Sequence, residues 1–282
     1  MSVLEETQFL MKKYHISANK SLGQNFLIDD NVVDNIISSA NISPNNLVIE
    51  IGPGLGTLTA RLLEKANKVI AIELDDKMIP ILEERFHLYH NFELIHQDVL
   101  KVDLKQKIEE NKENISDVKI VANLPYYITT PIITKLLEEK VKVQSITIMI
   151  QKEVADRLTA IPGKKNTGAI TYCISYYCEA QEILFVPNTS FIPSPEVNSE
   201  VIQLTIRKEP PVVVKDEAFF FKIIHASFMQ RRKTLLNGLA NNGIASKETL
   251  KKMLQDLQLD ENIRGEALDL NQFAQISDYL TK

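Results

Sequence analysis

The chain has 282 residues, 44% of them apolar and 24% charged, with a formal net charge of −5. That is enough chain for one large or two smaller globular domains, and no apolar run approaches the roughly 20 residues that a membrane helix needs. The negative balance excludes a globally basic nucleic-acid binder, so any such partner has to be met by a local patch.

The first residues, Met1–Glu6, lack the basic-then-apolar pattern of a signal peptide. A polar arm ending at Asp29 leads into a helix expected over Asn31–Ala40. From Leu47 the pattern alternates. Strands are expected at Leu47–Ile51, Lys68–Leu74, Phe92–His96, Lys119–Ala122 and Gln144–Gln151, with helices at Thr57–Ala66, Met78–Leu88 and Pro131–Glu139. Such alternation means crossover units and a parallel sheet, whose ligands sit at the carboxyl ends of the strands. Glu182–Val186 and Val201–Arg207 read as late strands forming a hairpin around a Pro-rich loop, Pro187–Pro195. Cys173 and Cys178 have neither disulfide-framework nor metal-pair spacing. They read as buried free thiols on one helical segment and point to a reducing cytoplasm. Beyond Pro210-Pro211 only helices are expected, at Asp216–Phe228, Lys233–Leu239, Lys247–Leu257 and Leu270–Leu280. The fold class is therefore α/β. A domain over residues 1–209 carries the N-terminal arm, and a small all-α domain covers residues 210–282.

Glu50-Ile-Gly52-Pro-Gly54-Leu-Gly56-Thr57 closes the first strand. Glycines there let the backbone pass close to a ligand and turn sharply into a helix. A dinucleotide fingerprint would read Gly-x-Gly-x-x-Gly. Gly52 and Gly54 fit its first two positions, but Thr57 stands at the third. The glycines fall instead at every second position after an acid, a form that resembles class I S-adenosylmethionine-dependent methyltransferases. A purely structural turn would carry the same glycines. Glu73 closes the second strand, where a carboxylate can accept both ribose hydroxyl protons. Asp98 closes the third, where an acceptor suits an adenine amine, which only donates. Singly, each acid reads as well as a solvated loop carboxylate. Their regular recurrence at strand ends points to a nucleoside-like cofactor.

The fourth strand closes on Asn123-Leu124-Pro125-Tyr126. The Asn123 carboxamide oxygen and the Leu124 carbonyl can each accept one N–H of an exocyclic amine, which localises its lone pair. Tyr126 can stack on the ring, a contact worth roughly 1–3 kcal/mol. With a sulfonium as electrophile no nucleophilic side chain is needed, and in-line positioning supplies most of the acceleration. The alternative is a tight turn capped by Asn123.

Leu22-Gly-Gln-Asn25-Phe-Leu27, the Glu50–Gly56 turn, Asn123-Leu-Pro-Tyr-Tyr-Ile128, Met149-Ile-Gln-Lys152-Glu-Val-Ala-Asp-Arg157, Phe191-Ile-Pro-Ser-Pro195 and Phe228-Met-Gln-Arg-Arg-Lys233 occur in that order. Together, over about Asn19 to the C-terminus, they resemble the small-subunit (16S) ribosomal RNA adenine N6,N6-dimethyltransferases (the KsgA type). The resemblance implies a Rossmann-like class I methyltransferase domain, mostly parallel with a late antiparallel hairpin, and a helical domain for RNA or subunit recognition. It implies S-adenosylmethionine as cofactor. Asn25 and Leu27 would close over it, Gly52 would approach its methionine part, Glu73 its ribose and Asp98 its adenine. Asn123 would serve both cofactor and target amine, and Phe191 would sandwich the flipped base opposite Tyr126. The implied partner is the small-subunit RNA within an assembling 30S particle, met by a monomer. A large-subunit (23S) methyltransferase of the macrolide-resistance type and a non-catalytic assembly factor are the competing readings. Asn166, Asn198 and Glu200 depart from the family's pattern.

Arg231-Arg232-Lys233 opens an expected helix, and Lys152, Arg157, Lys164 and Lys165 border the loop after the fifth strand. Each cluster reads either as a grip on RNA phosphates or as a solvated charge run. No metal is assigned.

Overall fold

A computed structural model of the protein describes residues 1–19, 22–164, 166–230 and 232–281. They form two compact units, one of Met1–Ala155 with Ala180–Ile206, the other of Asp156–Glu179 with the segment from Arg207 onward. In chain order the first unit runs through α1 (Val3–Lys13), β1 (Phe26–Leu27), α2 (Asp30–Ser39), β2 (Asn46–Ile51) and α3 (Thr57–Leu63). It continues with β3 (Lys68–Glu73), α4 (Ile79–Phe86), β4 (Phe92–His96), α5 (Leu104–Glu110), β5 (Asp117–Asn123), α6 (Thr129–Glu138) and β6 (Ser145–Gln151). Next come α7 (Lys152–Leu158), α8 (Ala169–Tyr177), β7 (Cys178–Val186), β8 (Phe191–Ile192) and β9 (Ser199–Ile206). The helices α9 (Glu217–Met229), α10 (Leu235–Asn241), α11 (Lys247–Asp256) and α12 (Leu270–Leu280) end the chain.

Seven strands make one sheet in the order β4-β3-β2-β5-β6-β9-β7. The first five are parallel, and β9 runs antiparallel to β6, with Ser199 opposite Gln151. The apolar runs of β2, β5 and β6 are buried nearly throughout, as expected for parallel strands covered on both faces. Apolar stripes of α2, α3 and α4 join them in one core, with Val33, Leu62 and Phe86 almost wholly enclosed. Lys119, buried in β5, donates to the carbonyls of Ala40 (3.0 Å) and Asn41 (2.5 Å). Its charge thereby meets unpaired carbonyls at the end of α2.

The expected strands all form, but four features differ from the sequence reading. Helix α1 lies where only a polar arm was expected. It is nucleated by a capping box, the Ser2 hydroxyl accepting from the Glu5 N–H while the Glu5 carboxylate accepts from the Ser2 N–H, and it buries Val3, Thr7 and Leu10. The two cysteines do not share a helix. Cys173 is in α8 and Cys178 begins β7, where burial pushes the thiol up to about 12. The division into units is also not the single cut expected at Pro210. Tyr172 and Tyr176 of α8 are core residues of the second unit, packed with Phe220, Leu250 and Phe273. The α10 cap is Thr234, so Arg232 and Lys233 precede that helix rather than open it. Among the described residues no helix is long and apolar enough to cross a membrane.

Candidate active site

The strand order reverses around β2, which lies between β3 and β5. A crevice at the carboxyl ends of such strands is the usual ligand position of an open α/β sheet. A cavity of about 1100 Å³, open mouth included, lies there, lined among others by Asn25, Leu27, Gly52, Gly54, Glu73 and Asp98. Asn123, Leu124, Tyr126 and Phe191 line the same space. Every residue assigned from sequence to cofactor or target base therefore meets in one place.

The glycine turn forms the floor. Gly52 has a φ of +68°, and a Cβ added to it would point into the gap toward the Asn123 carbonyl and Pro125, 4.0 Å from each. Gly56, at φ +83°, has no room at all, because a Cβ there would sit 2.6 Å from the Phe86 ring. Below the turn, Glu50 is buried and accepts the Thr59 hydroxyl at 2.6 Å. Desolvation, aided by the charge of Glu73, raises its carboxyl to about 8. Arg85 ties the turn to α1, its guanidinium donating to the Leu55 carbonyl and to the Glu6 carboxylate.

Glu73 is more committed than its strand-end position implied. Its Oε1 accepts the N–H groups of Leu74 and Asp75, each at 2.8 Å, and its Oε2 accepts Gly54 N–H at 3.0 Å. A carboxylate has about four acceptor positions, so one remains, on Oε2. Burial nonetheless raises its pKa. Asp98 accepts Leu100 N–H through Oδ1 at 3.0 Å, leaving Oδ2 without a donor among the described residues.

The arm forms the roof. Phe26 and Leu27 pair antiparallel with Ile192 and Phe191, and the Ser190 hydroxyl donates to Asp29 at 2.8 Å. Gln24 donates to the buried carboxylate of Asp75 at 2.6 Å. The far wall is the segment after β5. Leu124 N–H donates to the Met149 carbonyl at 3.1 Å, and Ile128 N–H closes a turn on the Pro125 carbonyl at 3.2 Å. Asn123 does not cap that turn. Its Nδ2 instead reaches the Asn25 carbonyl at 3.5 Å. Its Oδ1 and the Leu124 carbonyl accept no hydrogen bond from a described residue. Tyr126 is half-buried with its hydroxyl 2.7 Å from the Ser199 hydroxyl, and burial raises the phenol's pKa. Phe191 is 3% exposed, whereas Tyr127, at the rim, is 57% exposed. Gln24, Tyr127 and Ser199 were not assigned from sequence.

The basic residues differ among themselves. Lys152 lies 3.6 Å from Glu200 and 4.0 Å from Glu182, so its charge is compensated. Arg157, Lys164, Arg232 and Lys233 are exposed residues of the second unit. Lys165 and Arg231 lie outside the described residues.

A model of the family described as ribosomal RNA adenine dimethylase matches residues 15–282. A ribosomal RNA small subunit methyltransferase A from Geobacillus sp. (strain WCH70) is 49% identical over 277 residues, 97% of this chain and 95% of that protein. The protein of the same name from Bacillus licheniformis has the same identity and coverage. Among solved structures, a dimethyladenosine transferase from Plasmodium falciparum aligns with a TM-score of 0.73 and 26% identity, covering 89% of this chain and 95% of that one. The 23S rRNA methyltransferase ErmE aligns at 0.67 and 22% identity, over 92% of this chain and 100% of that one, a likeness of fold.

Proposed function

Because the chain belongs to the ribosomal RNA adenine dimethylase family, we propose that it methylates two adjacent adenosines near the 3′ end of small-subunit (16S) ribosomal RNA, carrying methyl groups from S-adenosylmethionine to N6 of each. The observation that supports this most is the convergence of Asn123, Leu124, Tyr126 and Phe191 with Glu73 and Asp98 on one cavity. The residues fit the cofactor. The Asp98 Oδ2 is available to an adenine amine, and the remaining Glu73 acceptor position takes one ribose hydroxyl rather than two. Gly52 leaves room beside Asn123 for the methionine part, and Asn25 and Leu27 close the roof. When bound, S-adenosylmethionine supplies a methyl group already activated on a sulfonium.

The protein's own task is then to present an amine. The Asn123 Oδ1 and the Leu124 carbonyl each accept one N6–H, which turns the nitrogen lone pair toward the donor, while Tyr126 and Phe191 hold the ring. Neither acceptor is basic enough to keep the proton that N6 sheds, so it passes to water. A monomethylated adenine retains one N–H for these two oxygens. A dimethylated one retains none, so both acceptors lose their partner and the product's grip weakens.

Arg157, Lys164, Arg232 and Lys233 are exposed and form no ion pair with a described residue, and they supply phosphate contacts. Lys152 contributes less because Glu182 and Glu200 already compensate it. The protein works as a cytoplasmic monomer on an assembling 30S particle, and the helical second unit contributes to recognition of that particle. Incubation with labelled S-adenosylmethionine and either small-subunit particles or large-subunit RNA tests the reading. Label should map to two adjacent adenosines of the small-subunit RNA. Label confined to large-subunit RNA would refute it, and no label at all would favour an assembly factor without catalysis.

A further inference from the structure

We infer that Ser199 is a positioning residue, which fixes the aromatic wall of the base slot through its hydrogen bond to Tyr126. The inference rests on the proposed function and extends it to a residue that does not itself touch the base. Ser199 is fully buried, and its hydroxyl is 2.7 Å from that of Tyr126. It is the first residue of β9, held in the ladder opposite Gln151 of β6, so its hydroxyl has a fixed origin. Tyr126 has no such support of its own. It sits within the Pro125–Ile128 turn, half-buried, with the Ser199 contact as the hydrogen bond of its phenol. A tyrosine ring without that tether can rotate about its side-chain torsions, and ordering it at the moment of binding costs conformational entropy. Burial keeps the phenol neutral against the opposing pull of this bond, and either hydroxyl can be its donor.

The same loop supplies the other wall. Between Val186 and Ser199 the chain is braced on itself. The Asn188 N–H donates to Asn198 Oδ1 at 3.0 Å, Asn188 Nδ2 donates to the Pro195 carbonyl at 3.1 Å, and the Ser194 hydroxyl donates to the Asn188 carbonyl at 2.8 Å. Lys152 N–H further pins the Asn198 carbonyl to the end of β6 at 3.0 Å. Phe191 lies within this braced loop, and Ser199 follows directly after its Asn188–Asn198 tie. The separation of the two lining rings, and so the width offered to a planar base, is set by one stretch of backbone. Asn198 provides the side-chain oxygen for this brace.

Steady-state methylation of small-subunit particles tests this with Tyr126→Phe, which deletes one oxygen and keeps the ring, with Ser199→Ala, and with the double variant. Each single change should lower kcat/KM for the particle by about 3- to 10-fold, the worth of one buried hydrogen bond. The double variant should be no worse than the worse single, and the affinity for S-adenosylmethionine measured by calorimetry should stay at the wild-type value. A purely structural serine would move cofactor affinity as well, and its loss would multiply with that of Tyr126→Phe. Either of those results, or wild-type kcat/KM in Tyr126→Phe, overturns the inference. If Ser199→Ala does not fold, Tyr126→Phe decides alone. A wild-type protein that labels no small-subunit RNA refutes the proposed function, and this inference with it.

Discussion

Replacing Glu50 by glutamine should alter how the stability of the ligand-free protein depends on pH. The carboxyl is buried among Thr59, Glu73 and Arg85, and desolvation raises it from 4.5 to about 8. The Glu73 charge adds to the rise, and the Thr59 hydroxyl and the Arg85 guanidinium oppose it. A carboxyl whose folded pKa is raised contributes stability that is fully present below its unfolded pKa. That contribution is lost as pH rises toward the folded value, because folding must then recapture a proton that the unfolded chain has released. Each unit of separation is worth about 1.4 kcal/mol, so between about pH 5.5 and about pH 7.5 the wild type should lose about 3 kcal/mol through this group. Glutamine has no proton to lose and still offers an oxygen to Thr59. Urea unfolding at the two pH values should show the wild type weakening by that amount relative to Glu50→Gln. Glu73, also raised by burial, titrates in both proteins, and because its charge couples to Glu50 the difference between them includes that coupling. Parallel pH dependences in the two proteins would refute the reasoning.

Asn123→Ala should reduce methyl transfer by about 100-fold or more, the usual loss when one oriented polar partner of the reacting group is removed. Binding of small-subunit particles should stay within about two-fold, because the side chain contributes little to a large RNA surface. Single-turnover kinetics and a particle-binding titration check both halves, and wild-type turnover would remove the role given to the carboxamide. Arg232→Gln and Lys233→Gln should each flatten the dependence of log affinity for the RNA on log salt by about 0.7 to 0.9. An unchanged slope in a fluorescence-anisotropy titration would show that these residues form a solvated face instead.

The sheet was legible because burial on both faces writes apolar runs such as Val48–Ile49 and Ile120–Ala122 directly into the chain. The strand-end residues were legible for the same reason, since each run stops where a polar or glycine residue begins. Helix α1 is written in the Ser2-x-x-Glu5 pattern of its capping box, but its apolar stripe is too short to set it apart from a polar arm. Helix α5 buries little beyond Leu104, so its periodicity is faint. What sequence could not supply were partnerships set by tertiary approach. Nothing near Glu73 says that three backbone amides converge on it, nor near Lys152 that Glu200 compensates it. Tyr126 and Ser199 are 73 positions apart, and no local pattern joins them.

The pairing of Phe26 and Leu27 with Ile192 and Phe191 bears on how the molecule matures. Its tie between Asp29 and Ser190 spans 161 positions, among the costlier loops in the chain to close. During synthesis the five parallel strands are complete once Gln151 has emerged, but the roofing strand then has nothing to pair with. The antiparallel partner of β6 begins only at Ser199, and Phe191 and the Ser199 hydroxyl that meets Tyr126 also come after Gln151. A nascent or truncated chain ending before them would have the glycine turn and the strand-end acids, yet no enclosed chamber. Competence is in this sense a late acquisition, belonging to the finished first unit and to no shorter fragment of it.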